Sequence, residues 1–250
     1  YPECLTEEDI GYQNTSECEY CNPGDMNFDD VFTVSDIIML VNFILPGNDW
    51  NGGEPPSPEQ ECAADINGDG NVNIFDIVSL ILLVLSSDEL FVGQNTNEIT
   101  LYYGNGNLQY RADGDIAGIQ LEVTGDYLIT SHSLPAGWEM QYREGTILLF
   151  SLDGSFLTNQ TLFEYTHDLN IESAMVADWH GSSIDVSLKL CAELGDATGD
   201  GQINILDIVQ ITSYILELAV PAYPCAIDYN GDGDVNVMDI VLIIDIILNP

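Results

Sequence analysis

Asp65-Ile-Asn-Gly-Asp-Gly-Asn-Val-Asn-Ile-Phe-Asp76 runs without a break into the apolar stretch Ile77-Val-Ser-Leu-Ile-Leu-Leu-Val-Leu85. Counted from Asp65, side-chain oxygens fall at positions 1, 3, 5, 9 and 12: Asp65, Asn67, Asp69, Asn73 and Asp76. Position 7, Asn71, is due to offer a backbone carbonyl, and Gly70 stands at position 6. A hard cation such as Ca2+ takes six to eight oxygens at about 2.3–2.6 Å, and a chain wrapped round it must reverse sharply halfway, where glycine bends at least cost. The spacing meets both needs. Mg2+ fits less well because it keeps its waters.

Three more segments repeat the pattern, at Asp25, Asp196 and Asp228. The third loop offers Asp196, Thr198, Asp200, Gln202, Asn204 and Asp207, and the fourth Asp228, Asn230, Asp232, Asp234, Asn236 and Asp239. The first loop offers Asp25, Asn27, Asp29, Val31, Thr33 and Asp36, but Asp30 replaces the turn glycine. A left-handed residue there costs on the order of 1 kcal/mol, so this loop is expected to be the weakest of the four, though occupied. Asp and Asn also make turns and cap helices without any metal. Four loops in register favour the metal, and about four Ca2+ ions are expected.

The starts are 40 residues apart in the first pair and 32 in the second, with about 130 between the pairs. The middle lacks the repeat and carries all three basic residues, Arg111, Arg143 and Lys189. Its runs Ile116-Ala-Gly-Ile-Gln-Leu-Glu-Val, Thr146-Ile-Leu-Leu-Phe-Ser-Leu and Ser183-Ile-Asp-Val-Ser-Leu-Lys-Leu alternate and are broken by Gly, Asp and Asn, which predicts an all-β sandwich. The expected fold is therefore multidomain α and β, a central antiparallel β-sandwich flanked by two small all-α calcium modules. The boundaries are a disulfide-containing segment 1–23, a first calcium module 24–87, a linker 88–95, the sandwich 96–190 and a second module 191–250.

Against 42 Asp and Glu stand 3 Lys and Arg, a formal net charge of −39, while 46% of the 250 residues are hydrophobic. Such a chain repels phosphate backbones and anionic lipid, which excludes nucleic acid and membrane-surface partners. Its dense Ile, Leu and Val blocks exclude an acidic disordered tail. The longest nearly apolar run, Val235–Leu248, is interrupted by Asn236, Asp239 and Asp245, so no membrane-inserted helix is expected. With three ligand carboxylates per loop, four divalent ions would bring −39 to −31. The chain opens on Tyr1 with no leader, as expected of an exported protein at the cell surface or beyond it.

Position 12 is Asp, not the Glu of a full EF-hand, and one helix follows each loop. In these residues the chain resembles dockerin type I repeats, over Gly24–Leu85 and Gly195–Leu248. The resemblance implies calcium modules that pack two helices antiparallel, with the cations at opposite ends, and that act by binding cohesin partners. Loop positions 10 and 11, which help choose that partner in dockerins, are Val34-Ser35, Ile74-Phe75, Ile205-Leu206 and Val237-Met238, less hydroxylated than the family's usual pairs. In the middle, Asp115-Ile-Ala-Gly-Ile-Gln-Leu-Glu-Val-Thr-Gly resembles an early strand of cohesin-like domains, and Met175-Val-Ala-Asp-Trp-His-Gly-Ser-Ser-Ile-Asp-Val their terminal hairpin. Two versions stay open: an incomplete sandwich whose edge another segment completes, or a compact one whose first strand is Glu98–Tyr103.

Six cysteines in an exported chain suggest three disulfides. Cys21 and Cys62, and likewise Cys191 and Cys225, precede their loops at matching positions, which predicts Cys21–Cys62, Cys191–Cys225 and, by remainder, Cys4–Cys18. The Cys18-Glu-Tyr-Cys21 spacing could instead serve zinc or redox chemistry, but no second such pair accompanies it. No enzyme is expected: His132, His167 and His180 are scattered, and no nucleophile elbow, zincin pair or phosphate-binding glycine loop occurs.

The reading is a non-catalytic, extracellular, calcium-stabilised assembly protein. It acts between dockerin-like and cohesin-like modules, with other copies of itself or a cohesin/dockerin-type partner; pairing within one chain would give a closed monomer, and head-to-tail contact between copies, which three apolar-rich modules in series favour, a fibre. The alternative is a carbohydrate-binding module held on a scaffold, with glycans stacked on Trp138, Trp179 or the Tyr102-Tyr103 pair. Asn14 and Asn159 stand in glycan-acceptor triplets.

Overall fold

The computed structural model describes residues 21–45, 47, 56–85, 94–158 and 160–249. They form two compact units, divided at residues 90/91. The Cys4–Cys18 pair, Asn14, Asn159 and most of the 88–95 linker lie outside the described residues.

The first unit holds α1 (Val34–Ile44), α2 (Pro58–Ala64) and α3 (Ile74–Leu85). Thr33 caps α1, its hydroxyl accepting from Ser35 N at 3.1 Å, with Asp36 closing a capping box. The helix stops at Leu45, which is extended (φ −69°, ψ 124°) because Pro46 follows and bars the helical conformation from its predecessor. In α2, Ser57 caps and Pro58 takes the first helical position, where no amide donor is needed. Met26, Ile37, Leu40, Val41, Ile77, Leu80 and Ile81 are buried and join α1 to α3, each such side chain contributing about 1.5–3 kcal/mol. The predicted Cys21–Cys62 disulfide is present, with Cα atoms 6.1 Å apart across 41 residues, a closure that stabilises by about 4 kcal/mol.

The second unit begins with a two-sheet sandwich. Its strands are β1 (Glu98–Gly104), β2 (Asn107–Ala112), β3 (Gly118–Thr124), β4 (Tyr127–His132), β5 (Trp138–Arg143), β6 (Thr146–Ser151), β7 (Thr161–His167), β8 (Asn170–Ala177) and β9 (Asp185–Leu190). One sheet runs β4-β7-β2-β1-β9, the other β5-β6-β3-β8. Alternate residues such as Ile99, Leu101, Ile119, Leu121, Ile147, Leu149, Phe163, Tyr165 and Val176 meet between them. The compact version of the sandwich is the one that forms, since the Glu98 segment is β1 and lies inside its sheet.

The sandwich is predominantly antiparallel, as expected, with one parallel pair within it: β1 and β9, Ile99 opposite Val186 and Leu101 opposite Leu188. The terminal hairpin forms at its turn, where Asp178 N donates to Ser182 O at 3.0 Å and Ile184 N to Val176 O at 2.9 Å around the Ala177–Ser183 bridge; beyond it Met175 lies on β8 in one sheet and Val186 on β9 in the other. Asp178 drives this change of sheet: its carboxylate accepts from His180 N and Ser182 N, both at 2.8 Å, and turns the chain.

The aromatics considered for sugar stacking belong to the interior. Trp138 is buried and donates from Nε1 to Ser155 O at 2.8 Å. Trp179 is buried edge-on against Phe156, and Tyr102 is buried beside Lys189. Tyr103 packs against the sandwich core.

Strand β9 passes directly into Cys191, whose N–H donates to Tyr103 O at 2.6 Å, while Asn105 Nδ2 donates to Ala192 O at 2.8 Å. Beyond lie α4 (Ile205–Ile215), a 3-10 turn at Pro224–Ala226 that touches β1, and α5 (Val237–Leu248). Ala197, Ile211, Ile227 and Ile243 form their small core. Cys191–Cys225 is the second predicted disulfide found. The two helical regions match in detail: Gly24 N donates to Ala63 O at 2.8 Å and Gly195 N to Ala226 O at 2.7 Å, each tying its first loop to the approach of its second.

Candidate functional site

The four loops fold alike, and their aspartates gather the turns. In each, the first Asp accepts from the position-6 N–H, at 2.8, 3.0, 2.8 and 2.9 Å for Asp25, Asp65, Asp196 and Asp228. Each position-5 Asp accepts from the position-7 N–H at 2.8–2.9 Å, and the position-7 carbonyls of Asn71, Gln202 and Asp234 accept from the position-9 amides. The position-12 residues Asp36, Asp76, Asp207 and Asp239 reach furthest. One oxygen accepts from the position-3 N–H at 3.0–3.3 Å and the other from the position-9 N–H at 2.8–2.9 Å, so one carboxylate clasps both halves of its loop. In every loop, hydrogen bonds thus tie position 1 to position 6, position 5 to position 7, and position 12 to positions 3 and 9. Asn27, Asn67 and Asn230 donate to the position-5 carboxylate, and Thr198 Oγ1 bonds Asp196 and Asp207.

Position 9 does double duty, with Thr33, Asn204 and Asn236 capping helices whose third residue is the position-12 Asp. Asn73 does the same for α3, accepting from Phe75 N at 2.9 Å. Capping therefore accounts for part of the pattern, but not for the carboxylates. All four position-12 carboxylates are fully buried, and among the described residues none of the twelve aspartates at positions 1, 5 and 12 has a lysine or arginine ion-pair partner. Burial pushes the Asp76 carboxyl up to about 6 against the pull of two backbone N–H bonds, and the charges of Asp65 and Asp69 push the same way. Buried anions of this kind call for a cation. Among the described residues no three or more His, Cys, Asp or Glu side chains form a ready-made metal cluster. The donor chemistry is instead mixed, three carboxylates with amide, hydroxyl and backbone oxygens, which suits Ca2+.

Two positions in each loop take a left-handed backbone, not one. Gly68 and Gly70, Gly199 and Gly201, and Gly231 and Gly233 all have φ between 68° and 90°. In the first loop the same places hold Phe28 (φ 61°) and Asp30 (φ 63°). The strain expected at Asp30 is there, and a second instance at Phe28 accompanies it. The sequence signal for position 4 was available, since Gly68, Gly199 and Gly231 align. Left-handed non-glycine residues cost about 1–2 kcal/mol each, and the greater freedom of glycine in the unfolded chain returns about half of that. Phe28 is half exposed, so little burial is lost on removing its ring. Phe28→Gly with Asp30→Gly is expected to stabilise the first unit by about 1 kcal/mol in urea unfolding at saturating calcium; a destabilised double variant would contradict this account.

Similarity to known proteins agrees with the repeats. The dockerin type I domain family matches residues 23–85 and 194–248. Among solved structures, a chain of a type I cohesin–dockerin complex from Clostridium thermocellum is 12% identical, with a TM-score of 0.28, over 41% of this chain and 94% of that one. A chain of the complex between a scaffoldin B cohesin of Acetivibrio cellulolyticus and a dockerin is 13% identical, with a TM-score of 0.23, over 38% and 95%. A cohesin module from a Clostridium perfringens family 33 glycoside hydrolase is 10% identical, with a TM-score of 0.20, over 40% and 95%. No curated protein matches the chain. Two segments of the chain thus match the dockerin type I domain family, one before and one after the β-sandwich in sequence.

Proposed function

We propose that the protein is a non-catalytic, calcium-stabilised extracellular assembly protein. Its parts are two dockerin-like modules at 24–87 and 191–250 and a cohesin-like sandwich at 96–190, and it joins to other copies of itself or to a cohesin/dockerin-type partner. The four loops beginning at Asp25, Asp65, Asp196 and Asp228 would hold the calcium, through side chains at positions 1, 3, 5, 9 and 12 and the carbonyls of Val31, Asn71, Gln202 and Asp234. Calcium would supply the missing positive charge that lets the buried aspartates stay ionised.

The observation that carries assembly is the apolar surface of the C-terminal helices. Ile205, Leu206 and Val209 on α4 and Val237, Met238 and Val241 on α5 are all more than half exposed. Contiguous apolar patches of this sort mark contact sites. Two disulfides fit an oxidising, extracellular setting, and among the described residues no helix is long and apolar enough to cross a membrane. Since a head-to-tail contact need not close, repeated contact between copies would give a fibre. Electron microscopy of the purified chain in calcium and in EGTA tests the reading: ordered filaments with calcium are expected, and a strictly monomeric particle at high concentration would refute self-assembly. The alternative that polysaccharide stacks on Trp138 and Trp179 has lost its residues to the interior.

A further inference from the structure

A cleft of about 560 Å3 opens between the outer face of the five-stranded sheet and the C-terminal helical region, both within the second unit. That volume lies inside the range of ligand sites, about 300–1,000 Å3. Its sheet wall is built from outward-pointing positions: Gln109 of β2 alternates with inward Leu108 and Tyr110, Thr130 of β4 with Ile129, and Glu164 and Thr166 of β7 with Phe163 and Tyr165. Tyr214 and the fourth loop, through Asp228, line the opposite wall.

The chemistry of these walls is selective. Amides and hydroxyls dominate, each able to donate as well as accept, and Glu164 adds an acceptor. No lysine, arginine or histidine lines the cleft, and the chain carries a net charge of −39, so an anionic ligand would be repelled. An apolar ligand would leave the amides and hydroxyls unpaired. The side chains of Gln109, Thr130 and Thr166 make no hydrogen bond among the described residues, and Asn107, also in the lining, has a buried side-chain oxygen with no partner. A ligand rich in neutral hydroxyls answers all of these.

We propose that this cleft binds a neutral oligosaccharide. It does not depend on the assembly reading, and it differs from the aromatic stacking site, whose tryptophans are buried. The test is calorimetric titration of the full chain in saturating calcium with neutral hexasaccharides of glucose, mannose and xylose, and with hexagalacturonate as the anionic probe. At least one neutral hexasaccharide is expected to bind and hexagalacturonate to give no heat. Gln109→Ala and Thr130→Val should each weaken binding about tenfold, the effect of one lost hydrogen bond with its partner left unpaired. Both side chains point away from the core, so melting temperatures and filament formation should stay at the parent values, which separates this outcome from a failure of assembly. No binding by any neutral hexasaccharide, binding by both variants as tight as the parent's, or tighter binding of hexagalacturonate would overturn the proposal.

Discussion

Exhaustive EGTA treatment is expected to lower the melting temperature of the helical regions by about 20 °C for each loop emptied. A site held at a thousandfold excess of ligand over its Kd adds about 4 kcal/mol to the folded state, and in a separately melting region of roughly 60 residues each kcal/mol moves the midpoint by about 4–8 °C. The sign follows from the carboxylates. Asp36, Asp76, Asp207 and Asp239 are fully buried, each shares its loop with at least two further aspartates, and all three basic residues of the chain lie in the sandwich. Nothing within the protein can take the place of the cation. The sandwich holds none of the four loops and draws on its own core, from Ile99 to Ile184, so chelation should separate a calcium-sensitive transition from a calcium-insensitive one. Cys21–Cys62 and Cys191–Cys225 would persist and keep the loosened helices tethered. Differential scanning calorimetry with elemental analysis of the purified protein decides the matter. An unchanged thermogram after chelation, with no calcium found beforehand, would remove the metal from the account and leave the aspartates as helix caps alone.

How much of this was legible in the sequence depended on whether a feature repeats. The loops, their helices and two disulfides could be read because four copies align, so that a residue in one tests the role assigned in another. That is why Cys21–Cys62 and Cys191–Cys225 could be paired without geometry. The left-handed position 4 was present in the same alignment, but Phe28 hid it, since phenylalanine does not advertise a positive φ. In the sandwich, alternation marks a strand and its inner face, as at Ile147 and Leu149, but it does not name the neighbour. Parallel pairing of β1 with β9 therefore had no local signature, because it follows from the chain crossing between sheets after Asp178. The cleft beside Gln109 and Thr130 was equally out of reach, for its two walls are far apart in sequence and meet only where β9 runs into Cys191.

Placing charge on the C-terminal helices should abolish assembly while leaving the fold intact. At loop positions 10 and 14, Ile205 and Val209 are 63% and 56% exposed and Val237 and Val241 are 62% and 51% exposed, whereas Ile74 and Val78 in the same places on α3 are 0% and 1%. These pairs are four residues apart and share a helix face, so each helix presents an apolar ridge. With a net charge of −39, two copies repel one another, and only burial of such ridges, helped by bound calcium and salt screening, can outweigh that repulsion. Burying one Val or Ile is worth about 1.5–3 kcal/mol, so losing two and inserting two unpaired carboxylates should weaken association by at least about a hundredfold. The variants Ile205→Asp/Val209→Asp and Val237→Asp/Val241→Asp are therefore expected to sediment as monomers in calcium. Ile211 and Ile243, which hold α4 to α5, are untouched, so the calcium-dependent melting transition should remain. If both variants still formed filaments like the parent chain, the contact surface would have to lie elsewhere, and the exposed ridges of α4 and α5 would no longer support an assembly role.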